Sequence, residues 1–102
     1  MATITIEKAR VNKESVTKVA CSAETSQPVF VPGESVGIDV IVTSGTATVQ
    51  QSSGLPSEIS AGTATWINWG SGAVAANTGS IVTGATAVRL VATGVASLYV
   101  RT

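Results

Sequence analysis

The sequence predicts an all-β fold: a single antiparallel β-sandwich or jelly-roll-like barrel of seven to eight short strands. Val, Ile and Thr supply 36 of the 102 residues, and these β-branched side chains favour extended strands over helices. Short alternating or apolar segments also recur along the chain between groups of Gly, Pro, Asn and Ser, which favour turns. The length fits one domain that spans residues 1–102.

The first third of the chain alternates less regularly than the rest. Residues 2–7 place two isoleucines on one side and two threonines on the other, which indicates a half-buried strand. Residues 8–20 fit neither pattern fully, and their β-branched content favours extended structure or an irregular segment. We therefore expect residues 1–27 to include an extended N-terminal arm. Residues 28–32 lie between prolines, which predicts a short edge strand.

The clearest strands form two predicted hairpins with tight glycine-containing turns. The predicted strands are 36–43 with 46–51, joined at Ser44-Gly45, and 85–93 with 95–101, joined at Gly94. Residues 39–49 and 89–98 also resemble each other. Two hairpins that solve the same turn problem can produce this similarity, so it does not by itself establish a duplication.

The segments between the hairpins are shorter. Residues 54–57 are predicted to form a loop, and residues 63–69 a strand that ends at a turn over residues 70–72. Residues 73–83 are predicted to hold one or two short strands that are divided at residues 77–79. No segment carries a convincing helical pattern.

The charge pattern favours association. Six basic and six acidic residues cancel, and only 12% of the residues are charged, which favours self-association and predicts a homo-oligomer. The four basic residues at positions 8–18 are interleaved with Glu7 and Glu14, so no direct contact with nucleic acid is expected. The longest apolar run covers only residues 73–76, so no membrane partner is expected.

Histidine, the commonest general base and the commonest metal ligand, is absent from the sequence. The chain has no His and a single cysteine, Cys21, which rules out an internal disulfide and a nucleophile activated by His and predicts no metal or cofactor. We expect Cys21 to be a small buried apolar residue. Residues 70–75 match a dinucleotide-binding glycine pattern but lack the following helix and acid. Only Glu34 and Asp39 could form a catalytic pair, and solvated turn charges explain them better. The sequence therefore predicts a protein that is not an enzyme.

Aromatic and basic side chains are the remaining candidates for a binding surface. Trp66 and Trp69 lie three positions apart, so one is expected in the core and the other at an interface. Tyr99 is expected on the exposed face of its strand. Arg89 interrupts an apolar strand, so it either is solvated or pairs with an acid on a neighbouring molecule. The predicted interface residues are Lys8, Arg10, Lys13, Lys18, Phe30, Trp69, Arg89 and Tyr99.

Residues 84–100, together with the similar segment 42–49, resemble the C-terminal hairpin of small β-rich virion proteins of tailed bacteriophages. The resemblance implies a β-sandwich of the capsid decoration or cement type that binds other virion subunits. It implies that the major capsid protein is the partner and that the protein is found in the virion after assembly in the host cytoplasm. No functional residue transfers with the resemblance.

The sequence and the resemblance together predict a non-catalytic capsid decoration protein that binds and stabilises the lattice of the major capsid protein. The alternative is a carbohydrate-binding or receptor-binding β-sandwich module of a tail or fibre. This alternative rests on a group of aromatic and amide side chains that could bind a glycan, namely Trp66, Asn68, Trp69 and Tyr99.

Overall fold

A computed structural model describes residues 3–8, 15–31 and 36–101. Nine strands and one short helix lie within these ranges. They are β1 (Thr3–Lys8), β2 (Ser15–Ser22), β3 (Val29–Phe30), β4 (Val36–Val42), β5 (Ala47–Ser52), α1 (Pro56–Ala61), β6 (Ile67–Val74), β7 (Thr78–Val82), β8 (Ala87–Ala92) and β9 (Val95–Arg101).

The strands form two antiparallel sheets. One sheet has five strands in the order β1-β2-β9-β4-β7, and the other has four in the order β3-β8-β5-β6. Without β1, this is the strand order of a jelly roll, in which a long antiparallel ribbon folds over on itself. The predicted all-β antiparallel sandwich with a jelly-roll-like arrangement is confirmed, and the described residues contain one strand more than expected.

The core lies between the two sheets and consists of small and medium aliphatic side chains. In β4 and β9, every second residue is buried, because successive side chains of a strand point to opposite faces. Ile38, Leu90 and Leu98 are the largest fully buried side chains. The same core contains Cys21, as its sequence context predicts.

The two predicted hairpins are wrong, although their strands exist. β4 pairs with β7 and β9, whereas β5 pairs with β6 and β8. The turn at Ser44-Gly45 therefore carries the chain from one sheet to the other, as does the turn at Gly94. Alternation alone cannot distinguish a hairpin from such an arch, because both need two strands, a tight turn and one apolar face.

The two arches, residues 43–46 and 93–95, bind each other at one corner of the sandwich. Ser44 and Val95 exchange hydrogen bonds: the Ser44 amide donates to the Val95 carbonyl at 3.1 Å, and the Val95 amide donates to Ser44 Oγ at 2.9 Å. The Thr46 amide donates to Thr93 Oγ1 at 2.8 Å, and the Thr93 amide donates to the Thr46 carbonyl at 2.9 Å. The sequence similarity of the two segments thus reflects two equivalent arches side by side.

A glycine in each arch permits this close contact. A Cβ on Gly94 would lie 2.5 Å from the Ser44 carbonyl oxygen, and one on Gly45 would lie 2.8 Å from the Gly94 nitrogen. Gly45 also has φ +69°, which disfavours any side chain. Both positions therefore require glycine.

Within residues 1–27, the described strands β1 and β2 belong to the five-stranded sheet and do not form an arm. β2 pairs along its length with β9, and β1 pairs with β2 at the edge of the five-stranded sheet. Ile4 packs against the core, but Ile6 is 66% exposed. The expected burial of both isoleucines fails because β1 is an edge strand that the opposite sheet covers only in part.

The predicted turn at residues 70–72 lies inside β6, where it forms a bulge. Thr48 pairs with Ala73 and Gln50 pairs with Asn68, so residues 69–72 stand opposite Val49 alone. Glycines tolerate this geometry, and Gly72 has φ +63°. The bulge also changes which side chains of β6 point inward.

The sequence prediction also missed a short helix. Pro56 occupies the first turn of α1, Glu58 Oε1 accepts a hydrogen bond from the Leu55 amide at 2.8 Å, and Gly62 ends the helix with φ +79°. Proline at the start and glycine after the end are ordinary helix signals, but six residues are too few for a detectable apolar period. No helix within the described ranges is long and apolar enough to cross a bilayer.

The contact between the arches yields a prediction about stability. Replacing Thr93 by Val keeps the shape of the side chain and removes the hydroxyl that accepts from the Thr46 amide and donates to the Thr46 carbonyl. We expect the free energy of unfolding, measured by chemical denaturation, to fall by about 1 kcal/mol. Thr43→Val is the control, because that residue is exposed in the same arch, and it should change stability by less than about 0.5 kcal/mol. Equal stability of the two variants would contradict a structural role for the Thr93 hydroxyl.

Candidate functional site

The structure brings some of the predicted interface residues together. Lys18 and Tyr99 are cross-strand partners in the five-stranded sheet. Arg89 is half-buried on the four-stranded sheet, and Phe30, 51% exposed, lies on the edge strand of that sheet. The predicted residues therefore divide between the two sheets and do not form one surface.

The remaining predicted residues do not add to either surface. Trp69 is buried in the core and is a correction to the prediction, because strand alternation places it on the inner face when Asn68 lies on the outer face. Lys8 is the last residue of β1, and its side chain is not among those that the structure describes. Arg10 and Lys13 lie outside the described residues, as does Glu34 of the proposed carboxylate pair.

A row of five residues crosses the five-stranded sheet, with one residue from each strand. Thr5 pairs with Lys18, Lys18 with Tyr99, Tyr99 with Asp39, and Asp39 with Gly79. We call these residues the central row. The buried neighbours Leu98 and Val100 show that Tyr99 points away from the core. The central row therefore lies on the outer face of this sheet.

Charged side chains flank the tyrosine in the central row. Lys18 Nζ lies 5.5 Å from the centroid of the Tyr99 ring, within the range of a cation–π contact. Arg101 Nη1 forms an ion pair with Asp39 Oδ2. Both side chains of that ion pair are nearly half exposed, so it contributes little to folding and remains accessible to a partner.

Two glycines, Gly37 and Gly79, make room for these side chains. A Cβ on Gly37 would lie 2.5 Å from Arg101 Nη2, and a Cβ on Gly79 would lie 2.7 Å from Asp39 Oδ1. The arginine and the aspartate can therefore lie flat across the neighbouring strands. Sequence reasoning missed this arrangement, although a glycine within a strand is a signal for close approach of another group.

A shallow cleft of about 480 Å³ adjoins the central row. Its lining residues are Asp39, Val40, Ile41, Asn77, Thr78, Gly79 and Tyr99. Asn77 Oδ1 accepts a hydrogen bond from the Val42 amide at 3.0 Å, which ties the loop before β7 to β4. The cleft offers a carboxylate, a phenol, an amide and a hydroxyl. Its single carboxylate is already ion-paired, so this set is suited to binding and contains no activated nucleophile.

A second polar cluster lies on the outer face of the four-stranded sheet. Gln50 pairs with both Arg89 and Asn68 across the strands. Arg89 Nε donates to Gln50 Oε1 at 2.7 Å, and Gln50 Nε2 donates to Asn68 Oδ1 at 2.9 Å. The guanidinium carbon of Arg89 lies 4.4 Å from the centroid of the Trp66 ring. Burial lowers the pKa of the Arg89 side chain from its ordinary value. We call these four residues the Arg89 cluster: Trp66, Arg89, Gln50 and Asn68.

Metal binding would require a group of ligating side chains. Within the ranges that the structure describes, no three residues among His, Cys, Asp and Glu come together in such a group. The whole sequence contains no His.

Comparisons with known proteins give a structural likeness and no family. No family model and no curated protein matches the chain. Three solved structures of oxalate oxidase, two of them with bound glycolate, match with a TM-score of 0.59 and 15% identity. Each match covers 98% of this chain and 49% of the oxidase chain. The chain therefore spans about half the length of the oxidases, and at this identity the likeness shows the fold alone.

These matches contradict the predicted function. The structures that share the fold are enzymes named as oxalate oxidases, not capsid decoration proteins or glycan-binding modules of a tail or fibre. The segments that carried the resemblance to virion proteins are the two arches and their strands. Their β-branched strands and glycine corners are requirements of the fold, so they carry no information about a partner.

The buried cysteine gives a test of the core. Burial, assisted by the nearby Glu24 charge, raises the pKa of the Cys21 thiol. A raised pKa lowers the thiolate fraction at a given pH, and the thiolate is the reactive form. Alkylation by iodoacetamide at pH 8 should therefore be at least about tenfold slower in the native protein than in urea. In the control, Cys21→Ala combined with Ser22→Cys, the thiol occupies an exposed neighbouring position and should react at nearly the same rate in both states. Rapid alkylation of native Cys21 would place it outside the core.

Proposed function

We propose that this chain is a non-catalytic assembly domain that forms a symmetric homodimer through the outer face of its five-stranded sheet. The observation that carries the proposal is the charge order of the central row, in which Lys18 and Asp39 stand on opposite sides of Tyr99.

The side chains favour binding over catalysis. Oxidases rely on a redox-active metal or an organic cofactor, and the protein supplies the groups that hold it. The described residues offer no cluster of metal ligands, and the one cysteine, Cys21, is buried. These residues do not fit a metal centre, so the activity of the structurally similar oxalate oxidases is not assigned to this chain.

The outer face of the five-stranded sheet has the composition of a protein interface. Ile41, Ile81 and Val95 are exposed on it, with 37%, 63% and 46% of their surface accessible. They share this face with Tyr99 and Arg101, and an apolar surface with Tyr and Arg is typical of interfaces. The zero net charge of the chain also lowers the electrostatic cost of bringing two copies together.

The charge order of the central row is self-complementary. Consider two copies that face each other across a two-fold axis parallel to β9. This axis places the β2 side of one copy against the β4 side of the other. Lys18 of each copy then meets Asp39 of the other, and the two Tyr99 rings meet near the axis. An axis perpendicular to the strands would set Lys18 against Lys18, so the charges favour the first arrangement. Asp39 keeps its bond to Arg101 through Oδ2 and can accept a second bond through Oδ1.

Charge reversal tests the homodimer and its axis together. In Lys18→Glu and in Asp39→Lys, both symmetric contacts become like-charged, so each variant should dimerise about 10-fold more weakly or worse. In an equimolar mixture of the two variants, the introduced carboxylate faces the introduced ammonium, and the unchanged Lys18 faces the unchanged Asp39. The mixture should therefore regain the dimer mass in light scattering across a dilution series.

Glu58→Lys is the matched control, because it changes the charge by the same amount on α1, away from this face. It should dimerise like the unmodified chain. Thermal unfolding of each variant checks that the loss of the exposed Asp39–Arg101 pair leaves the protein folded. A chain that is monomeric at every concentration would overturn the proposal, as would single variants that dimerise normally.

A further inference from the structure

The Arg89 cluster, on the sheet opposite the proposed dimer face, contains a positive charge that has no acidic partner among the side chains that the structure describes. Three carboxylates have side chains that the structure describes: Glu24, Asp39 and Glu58. Asp39 pairs with Arg101, and none of the three pairs with Arg89. The guanidinium is half-buried, and burying a charge without a counter-charge is costly.

The guanidinium is also held in one orientation. One face lies on the Trp66 ring, and its Nε is fixed by Gln50, whose own amide is fixed by Asn68. Because Gln50 pairs with residues of both neighbouring strands, the cluster rests on the backbone of three strands. An arginine that is already ordered loses little side-chain entropy when it binds a ligand.

The remaining donors of the cluster are unused. Nη1 and Nη2 of Arg89 have no acceptor among the residues whose side chains are described, and neither does the amino group of Asn68. The two Nη groups form one edge of the planar guanidinium fork, which matches the two oxygens of a carboxylate.

We infer that the Arg89 cluster is a binding site for a carboxylate, held by the Nη edge of Arg89 while Trp66 and Gln50 fix the guanidinium. A single positive charge balances a carboxylate monoanion, whereas a phosphate dianion would keep one uncompensated negative charge. The carboxylate is that of a small organic acid or of a polypeptide terminus, since both present the same planar pair of oxygens.

The inference is tested by titrating the full-length ¹⁵N-labelled chain with acetate, followed by nuclear magnetic resonance. The Arg89 Nε–H and the Trp66 indole N–H signals should shift saturably with acetate. Acetamide, which has the same shape without the charge, should cause no such shift. Equal responses to acetate and acetamide would overturn the site, as would a purely linear response to acetate.

Gln50→Glu is the decisive variant, because it places a carboxylate beside Arg89 within the chain itself. Gln50→Glu should reduce the acetate-induced shift of the Trp66 indole N–H signal at least tenfold at a given acetate concentration. Arg89→Lys should reduce it as much, because it keeps the charge but loses the planar fork. The control is Asn77→Asp, the same amide-to-acid change in the loop before β7, which should bind acetate normally. Normal acetate binding by Gln50→Glu would overturn the inference.

Three further arms define the ligand and separate this site from the proposed dimer. Phosphate at pH 8 should saturate the site more weakly than acetate, and tighter phosphate binding would overturn the carboxylate assignment. A short peptide that ends in a free carboxylate is compared with acetate to decide between the two sources, and its amidated form is the control without the carboxylate. Tighter binding of the peptide than of acetate assigns a polypeptide terminus, and equal binding assigns a small acid. Lys18→Glu should bind acetate normally, so failure of the dimer leaves this inference testable.

Discussion

The contact between the two arches is the constraint on which the rest of the molecule depends. It sets β4 beside β9 in one sheet and β5 beside β8 in the other, so these four strands form the centre of both sheets. The other strands add on either side of them. Because a shift of one residue would reverse the buried and exposed faces of every central strand, the corner also fixes which side chains reach the core. The central row and the Arg89 cluster both lie on strands whose register is set there.

The sequence predicted local structure well and long-range pairing poorly, and particular residues show why. The alternation in β4, β5, β8 and β9 located these strands, because burial on one face imposes a period of two. The same alternation could not indicate that the turn at Ser44-Gly45 changes sheets. Tyr99 was predicted to be exposed, but its place between Lys18 and Asp39 depends on partners far away in the chain. The role of Gln50 was missed for the same reason.

The likeness to oxalate oxidases, at 15% identity, concerns the fold alone. The inward side chains of both sheets here are aliphatic apart from a few small polar residues and Trp69. The groups that can recognise another molecule lie instead on the two outer faces, where strand alternation places the side chains that do not enter the core. A fold of this kind can therefore keep its core while its surfaces acquire unrelated partners. Among the described residues, the two faces differ in character: one combines apolar side chains with balanced charges, and the other presents the oriented cation of Arg89.

The position of β9 in the centre of the five-stranded sheet bears on how the protein is made. Synthesis proceeds from the N-terminus, so β2 and β4 leave the ribosome well before the strand that lies between them. β5 likewise emerges before β8, its neighbour on the side towards β3. Until then, the earlier strands expose edges that are open to wrong partners, and loop closure over such distances is slow. The five-stranded sheet is therefore complete only after synthesis of β9, and the edges of β2 and β4 stay unpaired on that side until then.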